Sequence, residues 1–118
     1  MGRLSTHVLD TTRGRPGAGV AVEVLRLEAG GAWRSLKTVR TNADGRTDEP
    51  LLSGEAFVAG SYILSFSVGE YFKTQGAEIS DPPFLDIVPL RFHVADPNAN
   101  FHVPLVMTPW SYSTYRGS

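Results

Sequence analysis

The side chains that suit proton transfer at neutral pH are few in this chain. It contains three histidines, His7, His93 and His102, and no cysteine. A neutral imidazole, with an unperturbed pKa of about 6.5, can accept a proton from water at cellular pH. The absence of cysteine excludes thiolate zinc sites and a cysteine nucleophile. The sequence therefore indicates chemistry carried out by histidine and carboxylate groups.

Three imidazoles and a water molecule form one common type of catalytic zinc site. The histidine spacing does not favour such a site, because the chain has no H-x-H pair, no H-E-x-x-H motif and no carboxylate placed to complete a ligand shell. We therefore expect no bound metal. Ser111 and Ser118 lie outside any G-x-S-x-G motif, so a serine nucleophile is not expected either.

A guanidinium is the second candidate functional group. Arg46 directly follows the turn sequence Asn42-Ala43-Asp44-Gly45, which places it at a strand or loop edge. Its fixed, planar set of donors suits the oxygens of a flat substrate. The structural alternatives are simple: Arg46 as a turn residue, and His7 as an exposed strand histidine with one backbone hydrogen bond.

Alternating patterns predict the strands that position these groups. Leu4, Thr6 and Val8 alternate with Ser5, His7 and Leu9, so His7 points away from the apolar face of a first strand. Similar alternation or turn signals predict strands over about 19–27, 33–41, 62–68, 88–94, 101–107 and the C-terminal tail, with a short helix over 70–75. This pattern predicts an all-β antiparallel sandwich with one short helix, and a small closed barrel is the alternative.

The last two long strands are predicted to form a hairpin. The turn signal Asp96-Pro97-Asn98 separates residues 88–94 from residues 101–107. In a symmetric hairpin, His93 lies opposite His102 and both point outward. Asp10 lies beside a turn and is expected to accept local backbone hydrogen bonds.

Length and composition limit the class of protein. The 118 residues are expected to form one domain, 1–118, with 42% hydrophobic and 19% charged residues. The net charge of −1 argues against nucleic acid and anionic membranes as partners, and the longest apolar run is too short to span a bilayer. A site large enough for a ligand would form more easily between subunits of so small a domain than inside one, which suggests an oligomer.

Four separated motifs resemble one enzyme family. They are Leu4–Asp10 with Gly14-Arg15-Pro16, Thr41–Arg46, Phe101–Leu105 and the terminal Tyr115-Arg116-Gly117-Ser118. In this order, and over nearly the whole chain, they resemble the 5-hydroxyisourate hydrolases, the enzyme branch of the transthyretin-like family. Phe101 stands where that family often has tyrosine, and His93 stands where a small residue is common.

The resemblance implies a transthyretin-like β-sandwich of about seven to eight strands, assembled as a homotetramer with active sites between dimers. It implies hydrolysis of 5-hydroxyisourate to 2-oxo-4-hydroxy-4-carboxy-5-ureidoimidazoline in urate degradation, without a cofactor. The family's functional positions fall on seven residues: catalytic His7, Arg46 and His102, and substrate-binding Tyr115, Arg116, Gly117 and Ser118.

Several alternatives stay open at the level of sequence. His7 and His102 cannot be ranked as general base, and His93 is either inert or an influence on the pKa of His102. A transthyretin-like carrier that binds a small hydrophobic molecule without chemistry would have the same fold. The terminal residues differ from a Ser-Lys-Leu peroxisomal signal, so we expect a cytoplasmic location, or a periplasmic one if a signal peptide has been removed.

Overall fold

The fold is a β-sandwich with one short helix, as the alternating sequence patterns predict. The computed structural model describes residues 1–117, and Ser118 lies outside the described residues. The helical elements are a 3-10 turn at Gly54–Ala56 and helix α1 at Val68–Thr74. The strands are β1 (Arg3–Ser5), β2 (Val8–Asp10), β3 (Arg15–Pro16), β4 (Ala21–Leu27), β5 (Trp33–Arg40), β6 (Leu52–Ser53), β7 (Gly60–Ser67), β8 (Ile87–Val94), β9 (Phe101–His102), β10 (Leu105–Met107) and β11 (Tyr112–Thr114).

One layer of the sandwich is a four-stranded antiparallel sheet in the order β5-β4-β7-β8. Its inner face carries the alternating apolar residues, with Val22, Val24, Leu64 and Phe66 completely buried. Branched and aromatic side chains suit this pleated, half-buried surface, and their burial is the main stabilising contribution of the sheet. The described strands form open sheets, which excludes the closed barrel.

The opposite layer consists of two smaller sheets, in the orders β6-β1-β9 and β11-β10-β2-β3. The predicted first strand is divided into β1 and β2, because the Val8 amide donates to the Gly45 carbonyl oxygen (2.8 Å) instead of to a strand neighbour. The predicted strand 101–107 is likewise divided into β9 and β10, around Pro104, which has no amide proton to donate. These divisions raise the number of strands without changing the fold class.

The predicted hairpin between residues 88–94 and 101–107 is wrong. Strand β8 pairs with β7, whereas β9 and β10 pair in parallel with β1 and β2. The turn after Asp96 therefore carries the chain from one layer to the other, and the Gly2 amide donates to the Pro97 carbonyl at this crossing (3.1 Å). As a result, His93 lies opposite Ser61 and not opposite His102.

A buried carboxylate connects the helix to the second layer. Asp10 is completely buried and accepts hydrogen bonds from the Thr12 amide (3.0 Å) and the Tyr71 hydroxyl (2.8 Å). Burial, followed by the hydrogen bond and the charge of Asp10, raises the pKa of Tyr71. Tyr71 therefore keeps its proton and remains a donor. The predicted local role of Asp10 is confirmed, with an additional bond to helix α1.

Among residues 1–117, no helix has the length and hydropathy of a membrane span.

We expect Tyr71→Phe to destabilise the protein by about 1.5 to 3 kcal/mol, the usual contribution of a hydrogen bond to a charged group. Tyr62→Phe is the control, because the Tyr62 hydroxyl contacts only neutral backbone groups: it donates to the Val58 oxygen (2.7 Å) and accepts from the Val58 amide at a longer distance (3.3 Å). The control should cost about 1 kcal/mol. Urea unfolding at a fixed protein concentration measures both. Equal losses would show that the charge on Asp10 adds nothing.

Candidate active site

The outward face of the second layer brings together residues from three parts of the chain. Leu4, Thr6 and Val8 are buried, so Ser5 and His7 point to the other face, where both are half-buried. The parallel pairing of β1 with β9 places Ser5 beside His102. The Ser5 Oγ atom lies 2.8 Å from Nδ1 of His102, within hydrogen-bond distance. This face therefore holds both histidines that the resemblance assigns to catalysis.

The orientation of His7 is fixed by the loop after β5. Its Nε2 atom lies 3.0 Å from the Asp44 carbonyl oxygen. A carbonyl oxygen only accepts hydrogen bonds, so Nε2 of His7 must carry a proton and donate it. In the neutral ring, Nδ1 is then the unprotonated nitrogen. The tautomer of His7 follows directly from this contact.

The same loop holds Arg46. The Asn42 Oδ1 atom accepts hydrogen bonds from the amides of Asp44 (2.9 Å) and Arg46 (3.2 Å). Gly45, between them, has a φ of 75°, and a Cβ atom there would lie 2.3 Å from the Val8 carbonyl oxygen. Only glycine fits this backbone contact. The turn therefore presents Arg46 and the carbonyl that contacts His7 as one unit.

The charges around His102 favour its neutral form. Burial lowers the pKa of His102, and the positive charges of Arg46 and His7 lower it further. Arg46 lines a cavity with Ser5, the hydrogen-bond partner of His102, which agrees with this influence. His93, which is exposed and lies 2.7 Å (Nδ1) from the Ser61 Oγ atom, is not among the causes of this shift. A neutral imidazole can accept a proton, and a neighbouring guanidinium can stabilise negative charge that develops on a substrate.

Gly117 lies against the His102 ring. Its amide donates to the His102 carbonyl oxygen (2.7 Å) in an isolated antiparallel bridge. A Cβ atom at Gly117 would lie 2.6 Å from the His102 Cδ2 atom and 3.2 Å from Cγ. The C-terminal backbone therefore determines where this imidazole can lie.

We expect Gly117→Ala to lower kcat by about a hundredfold, because displacing a reacting group by about 1 Å has costs of this size. The added methyl group would force the His102 ring to move. Gly30→Ala is the control, since a Cβ atom there meets nothing within 4 Å. Steady-state activity assays with both variants test this prediction. Unchanged kcat in Gly117→Ala would contradict the tight contact.

The remaining predicted residues of the tail lie apart from this cluster. Tyr115 is exposed, and the Arg116 guanidinium lies 4.1 Å from the centroid of the Phe101 ring. Because Phe101 and His102 are consecutive strand residues, they point to opposite faces. Tyr115 and Arg116 line a separate cavity of about 210 Å³ with residues of β8 and β9. The Ser118 prediction lies outside the described residues.

The site includes residues to which sequence reasoning gave no role. Ser5 and Arg46 line one open cavity of about 250 Å³, whereas a larger cavity of about 790 Å³ beside β5 contains none of the predicted residues. The period-two spacing of Ser5 and His7 is a signal that they share a face. No comparable signal identifies the Asp44 carbonyl.

No cluster of three or more metal-ligating side chains occurs within residues 1–117.

Comparison with known proteins gives consistent results. A model of the HIUase/Transthyretin family matches residues 4–117. The chain is 55% identical over 118 residues to a 5-hydroxyisourate hydrolase of Ralstonia nicotianae, covering 100% of both chains. The structure of Klebsiella pneumoniae 5-hydroxyisourate hydrolase aligns with a TM-score of 0.80 at 34% identity, covering 100% of both chains. Sea bream transthyretin in complex with thyroxine aligns with a TM-score of 0.87 at 29% identity, covering 98% of this chain and 94% of that one.

Proposed function

This chain belongs to the HIUase/transthyretin family, and we propose that it is an enzyme that hydrolyses 5-hydroxyisourate to 2-oxo-4-hydroxy-4-carboxy-5-ureidoimidazoline in urate degradation. The observation that carries the proposal is the convergence of His7, Arg46 and His102 on one outward face: His7 contacts the loop that holds Arg46, and Ser5, which contacts His102, lines one cavity with Arg46. Full-length relatives bearing this enzyme's name support the same reaction.

The alternative function, a small-molecule carrier, is less well supported by this site. The likeness to a thyroxine-bound transthyretin is a likeness of fold, and one fold can serve both functions. A carrier has no need of a half-buried neutral imidazole beside a guanidinium. These groups have a direct use in hydrolysis, because they can deprotonate water and stabilise an oxyanion.

The reaction begins with attack of water on the ring amide carbonyl. His102 accepts a proton from water through Nε2 while the water oxygen forms a bond to the carbonyl carbon. Arg46 stabilises the resulting oxyanion, and the C–N bond of the ring then breaks. The proton taken up by His102 passes to the departing ring nitrogen, so the imidazole is neutral again at the end. Each step balances without a metal or a redox partner.

His7 serves as the orienting residue in this scheme. Because Nε2 of His7 donates to the Asp44 carbonyl oxygen, only Nδ1 is available to the substrate or to the attacking water. His102 is assigned as the general base because its pKa is lowered by burial and by two cationic neighbours, which keeps it unprotonated at neutral pH. The two histidines therefore have different roles.

The proposal extends to assembly. Residues 1–118 act as one domain within a homotetramer that works without a cofactor, and Tyr115, Arg116, Gly117 and Ser118 help to bind substrate. The structural support is the backbone contact of Gly117 with His102. The exposed Tyr112 and Tyr115 are consistent with a surface covered on assembly. Sedimentation and gel filtration test the oligomeric state. The cytoplasmic location stays a prediction.

The decisive experiment follows the ultraviolet absorbance of freshly generated 5-hydroxyisourate. Its decay is compared in buffer alone, with the purified protein, and with the protein in the presence of chelator. We expect the protein to accelerate decay well above the spontaneous rate, and chelator to have no effect. If a folded tetramer does not accelerate decay, the enzyme proposal fails and binding of a small apolar ligand becomes the function to test.

A further inference from the structure

Ser5 contacts the proposed general base from the side opposite the reacting nitrogen. Its Oγ atom lies 2.8 Å from Nδ1 of His102. The two residues are register partners in the parallel pair of β1 and β9, so their backbones hold the contact in place. Among residues 1–117, no atom hydrogen-bonds to Nε2 of His102. Within the described residues, the imidazole is therefore held at Nδ1 and has no hydrogen-bond partner at Nε2.

A serine hydroxyl can either donate to an unprotonated Nδ1 or accept from a protonated one. The two arrangements have opposite consequences, because a neutral imidazole carries one proton. If the hydroxyl donates, Nε2 carries the proton and cannot accept another from water. If the hydroxyl accepts, Nε2 is unprotonated and is the basic atom. The direction of this one hydrogen bond therefore determines whether His102 can act as a base.

We propose that Ser5 is a positioning residue for the hydrolysis, and that its Oγ atom accepts a hydrogen bond from Nδ1–H of His102. This bond keeps Nε2 of His102 unprotonated and directed toward the substrate. The inference rests on the proposed function for its role in catalysis. Ser5 is half-buried, so its hydroxyl proton can point toward solvent.

A neutral acceptor suits the charges around this ring. A carboxylate in the place of Ser5 would stabilise the imidazolium and raise the pKa of His102. Such a carboxylate would oppose the effect of burial, Arg46 and His7, which all lower that pKa. A hydroxyl fixes the tautomer and the ring orientation without adding charge. Ser5 therefore orients the base and leaves it neutral at the pH at which it must accept a proton.

The chain contains a matched control for this interaction. Ser61 Oγ lies 2.7 Å from Nδ1 of His93, on neighbouring strands of the other layer. The residue types, the ring nitrogen and the distance are nearly the same as for Ser5 and His102. Ser61 and His93 have no part in the proposed proton transfer. Any general effect of losing a serine–histidine bond should therefore appear in both pairs.

The experiment compares the full-length wild type with Ser5→Ala, Ser5→Thr and Ser61→Ala. Nitrogen NMR of the imidazole rings, without substrate, reports which nitrogen of His102 carries the proton. Kinetics with 5-hydroxyisourate give kcat and KM across pH, and thermal unfolding reports stability. We expect Nδ1–H in the wild type, a loss of this single tautomer in Ser5→Ala, and about a tenfold lower kcat at unchanged KM, the usual effect of one hydrogen bond.

Ser5→Thr keeps the hydroxyl and suits a strand, so it should restore both the tautomer and kcat. Ser61→Ala should leave kcat unchanged. The proposal is overturned if wild-type His102 carries its proton on Nε2, if Ser5→Ala retains the wild-type tautomer and kcat, or if Ser61→Ala lowers kcat equally. The NMR result stands even if 5-hydroxyisourate is not a substrate, so failure of this inference and failure of the proposed function are distinguishable.

Discussion

His102→Ala should lower kcat for 5-hydroxyisourate hydrolysis by about a thousandfold, in the middle of the range of about 10² to 10⁴ for removal of a general base. Without the imidazole, no base removes the proton of the attacking water. The water oxygen therefore becomes positively charged as it bonds to the carbonyl carbon, which raises the barrier. KM should change little, because the ring acts on water and not mainly on bound substrate. The decay of ultraviolet absorbance under saturating substrate measures this loss.

Two further variants make the result specific. His102→Asn keeps a polar atom near the position of Nδ1, so it should retain the contact with Ser5 while losing the reacting nitrogen. We expect it to be nearly as inactive as His102→Ala. His93→Ala should leave kcat unchanged, because His93 lies beside Ser61 in the other layer. His93 lines the cavity that contains Tyr115 and Arg116, so any effect should be on KM. If His102→Asn retains activity within about tenfold of the wild type, another group must be the base.

The local features of the site could be predicted from the sequence because they depend on neighbouring residues. Period-two geometry alone places His7 on the face opposite Leu4 and Val8. Asn42 and Gly45 have the side chain and the backbone freedom that the turn before Arg46 requires. The burial of Leu4 and Val8, and the φ of 75° at Gly45, confirm both inferences. Short-range stereochemistry was sufficient for these elements.

The pairing of His102 could not be predicted in the same way. A turn between two alternating strands favours a hairpin, because strands that follow one another along the chain usually pair. This rule predicts that β9 pairs with β8. Instead, β9 crosses to the other layer and pairs with β1, 97 residues away along the chain at Ser5. Because this pairing depends on packing of the whole sandwich, local patterns wrongly placed His93 opposite His102. The contact between Ser5 and His102 could therefore not be predicted from local sequence patterns.

Arg46→Gln should lower kcat/KM by at least about a hundredfold, the usual cost of losing one donor that stabilises an oxyanion. It should also shift the pH profile. The positive charge of Arg46 opposes protonation of His102, so removing it raises the pKa of His102. Since the neutral ring is the active form, the fall in rate at low pH should begin at a higher pH in the variant than in the wild type.

Arg46→Lys separates the charge from the geometry of the guanidinium. Lysine keeps a positive charge, so the acidic limb of the pH profile should stay near its wild-type position. It lacks the planar, forked set of donors, so the rate should still fall. Arg34→Gln, in β5 of the other layer, is the charge-matched control and should change neither quantity. If Arg46→Gln lowers the rate without moving the acidic limb, the guanidinium acts on substrate alone, and burial and His7 account for the lowered pKa of His102.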